Sequence, residues 1–195
     1  MSKTRCPHVG IIAEDESDVA SAKALIHRIA NNEQIGIKKF VGKGCGRIKR
    51  KCNSWANQLK QKGCSTLIVI HDCDSNILAD LHIKIKGALE PCAIANYLIC
   101  IPVQEFEAWL LSDPDAIKSG MNLKLKPNIK GFPETINSPK EHLGELIYKF
   151  SKGEKIYLNT KHNEKIAKEL SIEKVTKRCP SFVPFRNFIE AHFLH

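Results

Sequence analysis

Four short apolar runs, Val9–Ala13, Gly36–Val41, Thr66–Ile70 and Tyr97–Val103, constrain this chain more than any other feature. Each is too short for a helix and rich in valine or isoleucine, so each predicts a β-strand. Their unbroken apolar character predicts a sheet covered on both faces. Between the first two runs, Val19, Ala22, Leu25, Ile26 and Ile29 recur at helical spacing, with Arg28 on the opposite side. Between the second and third, Ile48, Cys52, Trp55 and Leu59 form a narrow apolar stripe, while Arg47, Lys49, Arg50 and Lys60 project elsewhere. Short apolar runs alternating with amphipathic helices are the pattern of βα units. The expected fold is α/β, with a parallel central sheet of about four strands.

Beyond Val103 the pattern changes. Glu105–Leu111 begins a helix that packs through Phe106, Trp109 and Leu110, and Ser112-Asp113-Pro114 interrupts it. Residues 120–139 hold three prolines and two glycines and read as a loop or linker. Helical stretches at His142–Phe150, Glu164–Leu170 and Phe185–Phe193 follow, broken at Cys179-Pro180. The expected organisation is an α/β domain over residues 1–119, the linker, and an α-helical C-terminal appendage over 140–195 packed on the same domain.

The chain has 195 residues, 43% hydrophobic and 26% charged, which excludes wholesale disorder and collagen-like repetition. At this length folding buries roughly 70% of the unfolded surface, so no covalent staple is needed. The eight cysteines contain no C-x-x-C pair and no zinc-type doublet, and most read as buried small hydrophobes. Neither a signal-peptide core at Met1–Gly10 nor a membrane-length apolar run is present, so a cytoplasmic, non-membrane protein is expected.

Charge is distributed unevenly. The formal net charge is +9, and between Gln34 and His71 there is no acid. That stretch carries Lys38, Lys39, Lys43, Arg47, Lys49, Arg50, Lys51, Lys60 and Lys62, which together equal the whole net charge. A field so concentrated favours a polyanion, nucleic acid above all, although a solvated lysine-rich surface has the same composition.

Acids gather instead at strand ends. The first strand runs into Glu14-Asp15-Glu16-Ser17-Asp18, the third into His71-Asp72-Cys73-Asp74, and the fourth into Gln104-Glu105-Phe106-Glu107. Ligands of open α/β sheets bind beyond the carboxyl ends of the strands, so these acids are expected to converge. Clustered carboxylates repel one another unless a cation neutralises them, and a hard divalent ion such as magnesium does so while keeping sites for substrate phosphates. Each motif also has a plainer reading. Asp15, Glu16 and Asp18 stand where a helix begins, a favourable place for acids with no chemistry involved. Asp72-x-Asp74 is common in turns. Glu105 and Glu107 lie roughly 200° apart on a helix, so one of them faces the site, and Glu105, nearer the strand end, is preferred. His71 reads as a packed or surface histidine rather than a base.

The loop Gly42-Lys43-Gly44-Cys45-Gly46-Arg47 opens the cationic helix, and its backbone N–H groups suit a phosphate. It is not a Walker A loop, because no G-K-[ST] follows. Lys43, Gly44, Arg47, Arg50 and Lys51 are the candidate nucleic-acid-binding residues, and they contact backbone rather than read sequence.

Glu14 followed by Asp72-x-Asp74 on successive strand ends resembles a Toprim domain, the metal-binding Rossmann-like fold of topoisomerases, primases and OLD-type nucleases. More narrowly, Ile11-Ile12-Ala13-Glu14 through Asp18, Glu105-Phe106-Glu107-Ala108-Trp109-Leu110-Leu111-Ser112-Asp113, and Cys179-Pro180-Ser181-Phe182 with Phe185 resemble a small bacterial Toprim-like family. Relatives of that family occur among phage-defence genes. The resemblance implies that Glu14 is a general acid or base and that Asp72 and Asp74 hold Mg2+, or Mn2+ in its place. It further implies that Asp18 and one of Glu105 or Glu107 support a second ion, and that a separate ATPase partner exists. Toprim sequences usually carry glycine after the first glutamate, where this chain has Asp15.

The expected function is a magnesium-dependent nuclease or nuclease-like phosphoryl-transfer protein. Two alternatives stand beside it: a non-catalytic nucleic-acid- or partner-binding protein of the same fold, and an aspartyl phosphatase with Asp72 as nucleophile and Asp74 as acid. The phosphatase reading fits less well, because that chemistry normally places D-x-D on the first strand.

Overall fold

A computed structural model describes residues 8–194. Cys6 and the side chain of Cys45 lie outside the described residues. Four strands, β1 (His8–Ala13), β2 (Gly36–Val41), β3 (Thr66–Ile70) and β4 (Asn96–Cys100), alternate with α1 (Glu16–Ile29), α2 (Cys45–Gln61) and α3 (Leu78–Leu89). The strands form one parallel sheet in the order β2-β1-β3-β4, an α/β, Rossmann-like arrangement. Short helices α4 (Glu107–Leu111) and α5 (Pro114–Gly120) follow, then α6 (Pro139–Phe150), α7 (Asn159–Glu169), α8 (Ile172–Arg178) and α9 (Val183–Phe193).

Alternation along each strand sorts side chains between two cores. Val9, Ile11 and Ala13 of β1, with Ile68 and Ile70 of β3, face α1 and the C-terminal helices. Ile12, Leu67, Val69 and Ile99 face α2 and α3. Both faces are therefore covered, which is why the strands read as continuous apolar runs rather than as alternation.

Three sequence expectations need correction. The fourth strand ends at Cys100, not Val103, because Pro102 has no N–H to continue a ladder. The chain nonetheless stays beside β3, through His71 N–H to Cys100 O at 3.1 Å, Cys73 N–H to Pro102 O at 3.0 Å and Asp74 N–H to Gln104 O at 2.8 Å. Helix α3 was not anticipated, although it buries Leu81, Ile85 and Leu89 at a four-residue spacing. Trp55 does not belong to the buried stripe of α2; Ala56 takes that place beside Ile48, Cys52 and Leu59, and Trp55 is half-buried against Phe40.

The motifs around Trp109 explain themselves in the core. Its ring is fully buried and packs with Phe106, Phe182 and Phe185, and its indole N–H donates to Ser181 Oγ at 2.8 Å. Asp113 is buried at the start of α5, accepting from Ser171 N–H at 3.0 Å and Lys174 Nζ at 2.7 Å. The stretch between α5 and α6 is pinned by Arg178, which donates to the carbonyls of Ile129 and Gly131, and by Glu134, which accepts from Ser181 N–H at 3.0 Å. No helix among the described residues is long and apolar enough to cross a membrane.

Helices α5 and α7 approach closely at Gly120, where an added Cβ would stand 2.8 Å from Ile166 Cα and 2.9 Å from Lys165 O. Both are backbone atoms and cannot swing away. Gly120→Ala is expected to cost roughly 1–3 kcal/mol of stability, as overpacked interiors do. Urea unfolding checks this: the midpoint drops with the slope unchanged.

Candidate active site

The carboxyl ends of the four strands meet in one rim. The loop after β2 is tied to the end of β1 by Gly42 N–H to Ala13 O at 2.8 Å and Lys43 N–H to Glu14 O at 2.9 Å. Glu14 thus sits against the Gly-Lys-Gly turn that opens α2. Gly44 has φ 115°, which side-chain-bearing residues rarely adopt. Lys43, Asp74 and Gln104 also have positive φ, at 52°, 47° and 63°. Each such residue costs on the order of 1–3 kcal/mol and persists only where the surroundings enforce it; here they fall on three loops of the same rim.

Asp18, Asp72 and Glu107 form the centre. Asp18, in the first turn of α1, is 6% exposed, and its Oδ2 accepts the Asp15 N–H at 3.1 Å. Burial raises its pKa from 3.8 to about 7, and the charges of Glu107, Asp15 and Glu14 add to the rise. The carboxyl of Asp72 is likewise held well above its ordinary range, by burial first and then by Asp18, Glu107, Glu14 and Asp74. Its Oδ1 accepts the Phe106 N–H at 3.0 Å, which fixes the carboxylate against the start of α4. Glu107, 4% exposed, receives hydrogen bonds at Oε1 from the Tyr157 hydroxyl and from Asn163 Nδ2, each at 3.0 Å. The same hydroxyl meets Asn163 Oδ1. Burial and the charge of Glu107 push the Tyr157 hydroxyl far above its usual range.

Glu14 and His71 form a second, flanking pair. His71 Nδ1 lies 2.8 Å from Glu14 Oε1 and also 2.8 Å from the Asp72 carbonyl oxygen. Glu14 Oε1 and His71 Nε2 are buried without a well-formed hydrogen bond. Burial alone would lower the imidazole pKa, but Glu14 and the Asp72 carbonyl outweigh it and raise the net value, with Lys49 opposing them. Asp74 is exposed at the rim; desolvation and Glu14 raise its pKa while His71 and Lys49 oppose the rise.

The preference for Glu105 is overturned. Its Oε2 accepts the Lys140 N–H at 2.8 Å in the first turn of α6. It lines an open polar cleft of about 490 Å³ with Asp74, Ser75, Gln104 and Asn137. Glu107 is the acid of that pair whose charge acts on Asp18 and Asp72. Asp15 and Glu16 are exposed, and Glu16 pairs with Lys39, so these two acids serve the helix start. Sequence reasoning passed over Lys49, Tyr157 and Asn163. No local pattern marks the last two, because they reach Glu107 only through the packing of α7 and the chain before it. His71 is indeed packed, 1% exposed, but it packs against a carboxylate.

The candidate nucleic-acid residues Lys43, Gly44, Arg47, Arg50 and Lys51 are all exposed. None of them forms a salt bridge among the described residues. The donor set suits a hard divalent cation in kind: carboxylate oxygens of several acids at one rim, each opposing the charge of its neighbours. Among the described residues, no three histidine, cysteine, aspartate or glutamate side chains are gathered closely enough to hold a metal ion.

The raised pKa of Asp18 links this site to folding. From 3.8 to about 7 the folded chain binds a proton that the unfolded chain has released, so stability falls as pH rises through that window. Asp72 acts in the same direction, and so does His71, whose contribution is present at low pH and lost as pH climbs past its raised pKa. The metal-free protein is expected to melt higher near about pH 5 than near about pH 8, and Asp18→Asn is expected to flatten that dependence. Thermal unfolding across the range is the check, and a midpoint that climbs with pH equally in both proteins contradicts it.

The family to which these residues belong follows from comparison. No curated protein and no solved structure matches the chain. A family model described as a domain of unknown function, DUF4276, matches residues 13–190, from the end of β1 into α9 and across every acid of the rim, and the chain belongs to that family.

Proposed function

We propose that this protein is a magnesium-dependent nuclease, or nuclease-like phosphoryl-transfer protein, of the Toprim type. One observation carries the reading: Asp18, Asp72 and Glu107 come from three separate parts of the chain, and the charge of Glu107 acts on both Asp18 and Asp72 at a rim whose neighbouring loop is cationic. Carboxylates placed together without a cation are costly, and a fold that retains the arrangement has a use for the negative charge.

Asp72, Asp18 and Glu107 would hold the ion, with Asp74 and Glu14 beside them. Bound there, magnesium would supply a Lewis acid for phosphoryl oxygens and a more acidic water. The chain's own groups do the rest. Tyr157 and Asn163 fix Glu107 so that its carboxylate cannot rotate out of the rim. His71 Nδ1 sits against Glu14 Oε1, which suits Glu14 to take or give a proton at that oxygen. Lys43 and Arg47 hold the phosphate backbone of DNA or RNA. By the resemblance to OLD-type nucleases and phage-defence relatives, a separate ATPase is the partner to seek, in a cytoplasmic setting.

The test is cleavage of labelled single- and double-stranded DNA and RNA with Mg2+ or Mn2+. Glu14→Gln is expected to lose roughly 10²–10⁴ in rate, the range of a general acid–base group, and Asp72→Asn and Asp18→Asn to lose activity through weakened metal binding, while Glu105→Gln stays close to native. Equal activity in all of them, or none in any, overturns the proposal. A second reading is binding without cleavage. It is expected to show nucleic-acid affinity indifferent to magnesium.

A further inference from the structure

Helix α2 carries a second pattern beside its buried stripe. Arg47, Lys51, Trp55, Gln58 and Lys62 are spaced four, four, three and four residues apart and so fall along one line of the helix surface. The line is roughly 22 Å long at the helical rise per residue. Its four polar members are exposed and Trp55 is half-buried. Beneath the indole lies Phe40 of the edge strand β2, with ring centres 5.4 Å apart and planes within 1° of parallel. Lys62 Nζ stands 4.6 Å from the centre of the Phe40 ring, a cation–π distance.

Packing accounts for only one side of this pair. Phe40 and Trp55 rest against the core under α2, yet neither is fully buried. The Trp55 indole N–H has no hydrogen bond among the described residues, whereas that of Trp109 has a partner. Trp55 lies among cations, in the part of the chain without an acid from Gln34 to His71. An aromatic surface flanked by cations is what unpaired bases stack on while their phosphates are held. A duplex keeps its bases stacked on one another and offers such a surface little.

We propose that the Trp55–Phe40 pair is a stacking platform for single-stranded nucleic acid, with Arg47, Lys51 and Lys62 holding the phosphates on either side. The inference rests on the nucleic-acid reading above and narrows it to unpaired substrate. The ridge begins at the N-terminal end of α2, beside the Gly-Lys-Gly turn that is bonded to Glu14, so a strand lying along it leads to the acidic rim.

Trp55 and Trp109 are the two tryptophans of the chain, and Trp109 is fully buried, so quenching of intrinsic fluorescence reports on Trp55. The full-length protein, at low salt with a chelator present, is titrated with oligo-dT, oligo-rU and a duplex of equal length. Saturable quenching by the single strands and weak quenching by the duplex are expected. With affinities of the variants read by fluorescence anisotropy of end-labelled strands, because they lack the quenched indole, Trp55→Ala is expected to weaken single-strand binding by roughly 5- to 150-fold, the cost of one lost stacking contact, and to leave duplex binding nearly unchanged. Trp55→Phe is expected to restore most of the loss. If both classes bind without quenching, or Trp55→Ala binds single strands as the native protein does, the platform is wrong and the nucleic-acid reading survives. If no nucleic acid binds at all, the reading beneath it falls as well. Should Trp55→Ala fail to fold by circular dichroism, the native quenching comparison and Trp55→Phe decide.

Discussion

Carboxylates held together in a poorly solvated rim are the interaction around which the rest of this structure is arranged. Removing a single carboxylate from water favours its neutral form, and a second one nearby compounds the effect. Here Asp18, Asp72 and Glu107 come from the start of α1, the loop after β3 and the start of α4. Burial first, and then the charges of the neighbouring acids, raise the proton affinities of Asp18 and Asp72. No lysine or arginine side chain enters a salt bridge with any of the three among the described residues. The hydrogen bonds they accept come from neutral donors: backbone N–H groups of Asp15 and Phe106, the Tyr157 hydroxyl and the Asn163 amide. Neutral donors orient a carboxylate while leaving its charge available to a cation from outside.

The C-terminal helices make that arrangement rigid. α1 packs on α7, which carries Asn163 to Glu107, and Asn159 reaches Ser17 in the first turn of α1. Trp109, two residues beyond Glu107, is locked among Phe106, Phe182 and Phe185. The conspicuous Glu-Phe-Glu-Ala-Trp segment thus mixes two functions at helical spacing. Glu107 points its charge at the rim, while Phe106 and Trp109 anchor the turn that aims it. The close approach of α5 to α7 at Gly120 belongs to the same support.

Much of this was legible in the sequence, for physical reasons. A strand covered on both faces writes itself as an apolar run, and β1 and β3 therefore declared themselves within a residue or two, while the half-exposed edge strand β2 was marked by Ile37, Phe40 and Val41 around its two lysines. Acids directly after such runs could be placed at the rim without knowing the packing, because parallel strands bring their carboxyl ends together. α3 escaped because Ile77, Leu78 and Ile83 are exposed apolar residues that blur its buried stripe. The choice between Glu105 and Glu107 failed because distance from the strand end is a poor guide once a turn intervenes. Glu105 is drawn to the first turn of α6, an element far away in sequence. Tyr157 and Asn163 left no signal of their own, since only tertiary packing brings them to Glu107.

The segregation of charge completes the argument. The cationic loop follows the edge strand β2, the acids follow the three strands beside it, and few of these charges cancel. Lys39 pairs with Glu16 outside the centre, and Lys49 touches Asp74 and His71 only through its field. Had the cationic loop served to neutralise the rim, Lys43 or Arg47 would enter ion pairs with Glu14 or Asp72, and the acids would show lowered proton affinities. Asp18 and Asp72 show raised ones. Two fields of opposite sign, held side by side and uncompensated, are what the ligand proposed above, a polyanionic strand with its counter-cation, would neutralise. A charge distribution of this kind is costly for an isolated chain and is relieved when opposite charge is bound.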